Sequence, residues 1–149
     1  MKIGFANDHT GFALKKILMA HLASQGHECV DFGCKEGIRA DYSAYGQILA
    51  EAIREGKVER GVAVCGTGIG ISIAANKVPG IRAAVCSESY SAKMASLHND
   101  AQIIALGARV VGEEVAKLIV DTFFTTVFEG GRHRDRLAII TEIEKKYSR

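Results

Sequence analysis

Short apolar runs alternate with amphipathic stretches along the whole chain. The runs predict strands, and the stretches, in which apolar residues recur every three or four positions, predict helices. The predicted strands are Lys2–Asn7, Glu28–Phe32, Gly61–Cys65, Arg82–Cys86 and Gln102–Leu106. The predicted helices are Gly11–Ser24, a helix capped by Asp41 that ends near Glu55, Ile69–Asn76, Ser91–His98, Glu113 to about Phe124, and about Arg134–Tyr147.

Strands that alternate with helices predict a parallel sheet with helices on both faces. Right-handed crossovers then give an α/β/α sandwich whose five strands lie in the order 2-1-3-4-5. In such sheets ligands bind beyond the carboxyl ends of the strands where the order reverses, which here falls between the first and third strands. We therefore expect Asp8 and His9, after the first strand, to face Cys65, Gly66 and Thr67, after the third.

Composition narrows the class of protein. The 149 residues suit one domain, and 48% apolar with 24% charged residues is the balance of a globular protein. A net charge of +2 is too small to predict a nucleic-acid partner. No run approaches the roughly 18 apolar residues of a membrane span and the start has no signal-peptide pattern, so we expect no membrane partner and a cytoplasmic location. The cysteines have no spacing typical of zinc sites, so no metal is predicted.

The most informative segment is the glycine-rich loop that follows the third strand, from Cys65 to Gly70. Gly66, Gly68 and Gly70 let the backbone approach a ligand closely, and the first amides of the following helix lack helical partners. The loop has neither the Lys-Ser/Thr pair of a Walker loop nor the arginine of a cysteine phosphatase. A dinucleotide-binding loop supported by Glu88 stays open, as does a tight turn without a ligand. The pattern otherwise predicts an amide cradle for a phosphate or an oxyanion.

Cys65 is the candidate for chemistry at this loop, because the positive end of a helix favours a thiolate. It could act as a nucleophile or as a base, with His9 or His98 as its partner, or be a small core residue. Asp8 could instead cap the following helix, and His9 could simply be exposed. His98 could be a cation that ends its helix, and Asn99 could be a left-handed cap.

Basic residues are densest between positions 132 and 136. If a helix begins near Arg132, this residue and Arg136 share one face, four positions apart, in an arrangement that suits one phosphate group. The alternative is a solvated helix start near Asp135.

These motifs together resemble the family of ribose-5-phosphate isomerase B and related sugar-phosphate isomerases. The likeness covers essentially the whole chain and is specific as an ordered set. The segments that carry it are Asp8-His9-x-Gly11-Phe12 with Lys15, Asp41-Tyr42, Cys65 to Lys77, Gly80-Ile81-Arg82, His98-Asn99, Gly107-x-Arg109 and Glu129-Gly-Gly-Arg132-His133-x-x-Arg136.

The resemblance implies a Rossmann-like fold and a homodimer or dimer of dimers with active sites shared between subunits. It implies that the C-terminal helix, about 132–147, is an arm packing at the dimer interface. The chain would belong to the cysteine branch of the family, because it has Cys65, and an apolar Ile71 where another branch carries a glutamate base.

For the chemistry, the resemblance implies interconversion of an aldose and a ketose phosphate through a cis-enediolate, with no metal or redox cofactor. It implies Cys65 as the base, Thr67 and His98 as the pair that opens the furanose ring, and Asp8 as the group that holds substrate hydroxyls. The substrate-binding residues that it implies are Tyr42 and Asn99 as lesser contacts, Gly66, Gly68 and Gly70 through their amides, and His9, Arg109, Arg132 and Arg136 for the phosphate.

The expected substrate is ribose 5-phosphate. Isomerisation of allose 6-phosphate or galactose 6-phosphate is an alternative, because the motifs do not separate sugars of five and six carbons. A module that binds a sugar phosphate or a nucleotide without catalysis is a further alternative.

Overall fold

The computed structural model describes residues 1–148, which form one five-stranded sheet and six helices. The strands are β1 (Lys2–Asn7), β2 (Glu28–Asp31), β3 (Arg60–Cys65), β4 (Ala83–Val85) and β5 (Ile103–Gly107). The helices are α1 (Phe12–Ser24), α2 (Tyr42–Arg54), α3 (Ile69–Ala75), α4 (Ser89–Leu97), α5 (Glu113–Thr125) and α6 (Arg132–Tyr147). Every predicted element is confirmed, with bounds that differ by at most about two residues, the usual uncertainty of helix and strand ends.

All neighbouring strands run parallel, in the order β2-β1-β3-β5-β4. The parallel sheet is confirmed, but the expected order 2-1-3-4-5 is wrong for the last two strands. β5 lies inside, pairing Gly107 with Cys65 on one side and Ala105 with Val85 on the other. Burial explains the difference: every residue of β5 is buried, as an inner parallel strand requires, whereas β4 is three residues long and none of them is fully buried.

Helices cover both faces of this sheet, and the core divides accordingly. On one face, Phe5 and Leu106 pack with residues of α1, α4 and α5. On the other face, Ala63 and Cys65 pack with residues of α2 and α3. Successive residues of a strand point to opposite faces, so Cys65 falls in the second layer, in one cluster with Ile71 of α3.

The sheet changes direction of winding between β1 and β3. The chain leaves β1 toward β2 on one side, whereas it leaves β3 toward β4 and β5 on the other. Such a reversal opens a crevice at the carboxyl ends of the two strands. The correction to the outer strands does not affect this position, so the expected location of the binding site is unchanged.

Helix α6 lies outside these layers and is exposed along most of its length. Both carboxylate oxygens of Glu144 accept a hydrogen bond from the N–H of Gly80, at 2.9 and 3.0 Å, and this contact ties α6 to the turn before β4. Its large exposed apolar side chains are Ile139, Ile140, Ile143 and Tyr147. Neither α6 nor any other helix within residues 1–148 is long and apolar enough to cross a membrane.

Candidate active site

A crevice of about 530 Å³ opens at the carboxyl ends of β1 and β3. The end of β1 contributes Asp8 and His9, and the end of β3 contributes Cys65, Gly66 and Thr67. The other lining residues are Thr10, Tyr42, Ile69, Gly70, Ile73 and Arg109. A groove of similar size between α2 and the turn after α3 contains none of the predicted site residues. The residues that follow β1 and those that follow β3 are far apart in the sequence, and they therefore face one another across the crevice, as expected.

Cys65 occupies the last position of β3, with 3% of its surface exposed and its side chain at the crevice wall. The backbone N–H of Gly68 donates a hydrogen bond to Cys65 Sγ at 3.1 Å. Gly68 has a φ of +79°, the left-handed conformation that favours glycine, and a Cβ there would lie 2.9 Å from the backbone of Leu106. The contact fixes the position of the sulfur at the crevice wall.

The carboxylate of Asp8 is held by the start of the loop that follows β1. Its Oδ1 accepts hydrogen bonds from the N–H of Thr10 at 2.9 Å, from the Thr10 hydroxyl at 2.6 Å and from the N–H of Gly11 at 3.3 Å. Asp8 thus closes the turn before α1 and also lines the crevice, but it does not cap the helix as one alternative assigned, because the N-cap residue is Gly11 and no side-chain hydrogen bond caps the helix start. All three bonds end on Oδ1, so they fix the orientation of the carboxylate. Its other oxygen, Oδ2, takes no part in the turn.

Three larger side chains complete the crevice. His9 Nδ1 lies 3.2 Å from the carbonyl oxygen of Ala40, a contact that orients its ring. The ring of Tyr42 packs over Gly70, where a Cβ would lie 2.5 Å from the ring. The N–H of Arg109 donates to the carbonyl of Gly66 at 3.0 Å, so its guanidinium is carried beside the glycine-rich loop.

The other half of the predicted site lies at the opposite edge of the sheet. Helix α4 leaves the carboxyl edge after β4 and returns to the amino edge, where β5 begins. His98 follows the last residue of α4 and therefore sits at the amino edge, opposite Cys65 in the same chain. The predicted residues that do not line the crevice are His98, Asn99, Arg132, Arg136 and Gly68. The backbone N–H of Gly68 is directed at Cys65 Sγ.

The start of α6 is held beside the end of α4. The N–H of Glu129 donates to the last carbonyl of α4 at 2.9 Å. The rings of His98 and His133 stack, with their centroids 4.0 Å apart and their planes within 10°. Since α6 begins at Arg132, Arg132 and Arg136 are exposed one turn apart on one face, as the sequence predicts.

Asn99 does not take the left-handed conformation that one alternative assigned to it. Among non-glycine residues of the described chain, positive φ occurs at Asp100, with a value of +44°. Aspartate tolerates this region because its short polar side chain makes local hydrogen bonds. The carbonyl of Asn99 instead accepts a hydrogen bond from Arg82 Nε at 2.8 Å.

Three residues that the sequence singles out have structural roles. The carboxylate of Glu88 accepts the N–H of Ser91 at 2.8 Å and caps α4, and hydrogen bonding to Ser91 lowers the pKa of Glu88. This use of the carboxylate weakens the dinucleotide-binding alternative. Lys15 is fully buried and forms an ion pair with Asp31 at 2.7 Å. Asp41 stands at the N-cap position of α2, as predicted, but without a side-chain hydrogen bond to the helix.

The sequence analysis gave no role to two polar residues beside the site, Thr10 and Glu129. Thr10 could have been found, because a threonine two positions after an aspartate is typical of a turn closed by the aspartate side chain. Glu129 could not, because its position next to His98 depends on how the chain between α5 and α6 crosses the end of α4.

Known proteins resemble this chain in sequence and in fold. Residues 3–140 match the model of the family described as Ribose/Galactose Isomerase. The chain is 50% identical over 145 residues to ribose-5-phosphate isomerase B of Escherichia coli (strain K12), with 97% of each chain covered. It is 43% identical over 132 residues to D-erythrulose-4-phosphate isomerase of Pectobacterium atrosepticum, with 88% of this chain and 87% of the relative covered. The solved structure of Clostridium thermocellum ribose-5-phosphate isomerase B superposes with a TM-score of 0.98 at 54% identity, covering 99% of this chain and 100% of that one.

The parallel α/β fold, the crevice at its switch point and these relatives define an isomerase of sugar phosphates. The chain belongs to the Ribose/Galactose Isomerase family, and the resemblance seen in the sequence is confirmed. The roles of individual residues stay predictions.

Proposed function

We propose that the protein interconverts ribose 5-phosphate and ribulose 5-phosphate through a cis-enediolate, with Cys65 as the general base. The observation that carries the proposal is the position of Cys65 Sγ, which accepts the N–H of Gly68 at 3.1 Å and lines the same crevice as the carboxylate of Asp8. A base, an amide donor and a carboxylate that can hold hydroxyl groups are the parts that such a reaction requires.

In the proposed step, the thiolate of Cys65 takes the proton from C2 of the open-chain aldose. The electron pair of the C2–H bond forms the C1–C2 double bond, and the C1 oxygen becomes the enediolate oxygen. Cys65 then delivers a proton to C1, while the proton of the C2 hydroxyl passes to the C1 oxygen, so that C2 becomes the ketone and C1 carries a hydroxyl. The step needs no redox cofactor, since no electrons leave the substrate.

The anion is the costly species, and backbone amides at the glycine-rich loop are the proposed means of stabilising it. The loop Gly66–Gly70 starts the helix α3, whose first N–H groups lack helical partners. One such preorganised donor contributes about 3 kcal/mol to an oxyanion transition state. Asp8, fixed through one oxygen by Thr10 and Gly11, would hold substrate hydroxyls, and Tyr42 would flank them.

The complete site requires a second copy of the chain. Ring opening is proposed for Thr67 together with His98, yet these two residues lie at opposite edges of one sheet. A homodimer, alone or paired into a tetramer, would bring the amino edge of one copy to the crevice of the other. Helix α6 suits the role of an interface arm, because it is exposed and carries three exposed isoleucines on one side.

The phosphate would be bound by cations from both halves. His9 and Arg109 line the crevice itself. Arg132 and Arg136, one turn apart on α6, would arrive from the second copy beside His98 and Asn99. Arginine pairs of this kind bind a phosphate through parallel charge-assisted hydrogen bonds.

A coupled isomerase assay on a panel of sugar phosphates tests the proposal. The panel contains ribose 5-phosphate, allose 6-phosphate, galactose 6-phosphate and erythrulose 4-phosphate, the last because of the relative from Pectobacterium atrosepticum. We expect the highest kcat/KM with ribose 5-phosphate. A higher kcat/KM with another sugar phosphate would make that compound the preferred substrate of the same reaction. Binding without turnover of any member of the panel would favour a non-catalytic module.

A further inference from the structure

Two histidines and a glutamate form a cluster at the amino edge of the sheet. His133, in the first turn of α6, is 2% exposed, and its ring stacks on that of His98 with 4.0 Å between centroids. Glu129 Oε2 lies 3.4 Å from His133 Nε2 and 3.8 Å from His98 Nε2, so one carboxylate oxygen lies close to both rings. His133 Nε2 is buried and has no hydrogen-bond partner of good geometry within residues 1–148.

The backbone fixes this cluster. The N–H of Glu129 bonds to the last carbonyl of α4, directly before His98. Gly130 and Gly131 follow with φ values of +73° and +55°, a turn that L side chains rarely adopt. The N–H of His133 then donates to the carbonyl of Gly130 at 3.1 Å, which starts α6 with the ring over His98. The main chain therefore places His133 directly beside His98.

A metal ion is a poorer explanation of the cluster than a carboxylate shared by two rings. The possible ligand atoms of His98, Glu129 and His133 lie within 4.8 Å of one another. The ring planes, however, are within 10° of parallel, so their in-plane lone pairs do not converge on one point as two histidine ligands require. The neighbouring charges of Arg132 and Arg136 also oppose a cation.

Burial and neighbouring positive charges disfavour protonation of His133. Burial is the main cause that lowers the pKa of His133, and the neighbouring His98, Arg132 and Arg136 lower it further, against the opposing effect of Glu129. His98 is one-third exposed, and Glu129 Oε2 lies 3.8 Å from its Nε2, so the carboxylate is the acidic neighbour of this ring. The ring of His133 packs flat against one face of the His98 ring.

We infer that His133 and Glu129 are positioning residues for His98 in opening the furanose ring. Glu129 selects the ring nitrogen of His98 that carries the proton, and His133 fixes the plane of the ring. In that step the C1 hydroxyl loses its proton, the C1–O4 bond breaks as C1 becomes a carbonyl, and O4 takes up a proton. The inference rests on the proposed function, which assigns His98 to ring opening.

Measuring kcat in both directions of the reaction distinguishes a positioning role of Glu129 and His133 from a purely structural role. Ribose 5-phosphate is mostly a furanose and needs ring opening, whereas ribulose 5-phosphate cannot close such a ring, because its C5 hydroxyl carries the phosphate. We expect Glu129→Gln and His133→Ala to lower kcat for ribose 5-phosphate about tenfold or more, the usual effect of removing a supporting partner, while kcat for ribulose 5-phosphate changes less than about twofold. His98→Ala should give the same one-sided loss, and adding His133→Ala to it should cause little further loss.

The matched control is His21→Ala, which removes a histidine of α1 whose carboxylate partner is Asp121, at 2.7 Å, and not Glu129. It should affect neither direction. If Glu129→Gln lowers kcat equally in the two directions, or only raises KM, the positioning role is wrong while the proposed function stands. The ratio kcat/KM does not discriminate, because the equilibrium constant fixes how it compares between the two directions. If the unaltered protein turns over neither sugar phosphate, the proposed function itself fails. Glu129 is more than half exposed, so Glu129→Gln tests the inference even if His133→Ala does not fold.

Discussion

The backbone N–H of Gly68 points at the sulfur of Cys65 from 3.1 Å, across the turn that joins β3 to α3. Gly68 is the N-cap residue of α3 and has a left-handed backbone, so the residue that donates to Cys65 also starts the helix. The same loop that could stabilise an anionic substrate therefore also fixes the proposed base. Cys65 is held at the crevice wall by its own loop and by the second core layer behind it.

Gly68→Ala should damage both functions of this loop. A methyl group there meets the backbone of Leu106 at 2.9 Å, and a left-handed alanine costs roughly 1–2 kcal/mol. We expect kcat to fall about tenfold to a hundredfold, because a displaced amide no longer supports the base or the anion. The control is Gly26→Ala, which has a φ of +90° with nothing within 4 Å and should lose stability without losing kcat. Equal kcat values in the two variants would show that the amide contact is not used.

Arg132→Ala and Arg136→Ala should each raise KM about tenfold with a smaller effect on kcat, since a phosphate remote from the reacting carbons supplies mainly uniform binding. Arg134→Ala is the matched control, because position 134 is on the opposite side of α6 from the pair. Steady-state kinetics with ribose 5-phosphate measures the effect. Unchanged KM in both variants would remove these arginines from the phosphate site.

A site shared between copies predicts complementation between two variants that are each weakly active at substrate concentrations well below the KM of the unaltered protein. Cys65→Ala lacks the base, and the double variant Arg132→Ala with Arg136→Ala lacks the phosphate ligands from α6. After denaturation and joint refolding of equal amounts, half of the dimers are mixed and each holds one intact site, so activity should return to about one quarter of the unaltered level. No recovery, with mixed dimers verified by mass spectrometry, would place both residue groups in the same chain's site or exclude one of them.

The cap of α4 predicts a pH-dependent contribution to stability. Hydrogen bonding to Ser91 lowers the pKa of Glu88 below its ordinary value of 4.5. A carboxyl whose pKa is lower in the folded state stabilises the fold above its ordinary pKa and loses this contribution as pH falls through the folded value. Glu88→Gln should therefore lower the urea midpoint at pH 7, and the difference should shrink toward pH 3. Glu36→Gln, in an exposed loop, is the control, and a difference that is independent of pH would contradict the assignment.

Much of this fold follows from local patterns in the sequence. The apolar run before Cys65 and the helical periodicity after Gly11 require no knowledge of neighbours, so the element types and bounds were predictable. The position of the crevice followed too, because it depends only on β1 and β3 being adjacent. The order of β4 and β5 did not follow from the sequence, because an apolar run does not indicate which strand it pairs with. The short length of β4 was the one feature that indicated an edge strand.

The composition of the site was less accessible to sequence. Asp8 and Cys65 meet within one chain because both end neighbouring parallel strands. His98 and Arg132 do not meet them, because α4 carries the chain back across the sheet. No spacing of residues along a chain records which side chains a second copy would supply.

The central claim is that Cys65 moves the proton, and hydrogen exchange with solvent tests it most directly. In D₂O, ribulose 5-phosphate should become ribose 5-phosphate with deuterium at C2 in the presence of the unaltered protein. Cys65→Ala should slow this exchange by at least about a hundredfold, the scale of a lost general base, while calorimetry still detects binding of the sugar phosphate. Exchange by Cys65→Ala within severalfold of the unaltered rate would contradict the account.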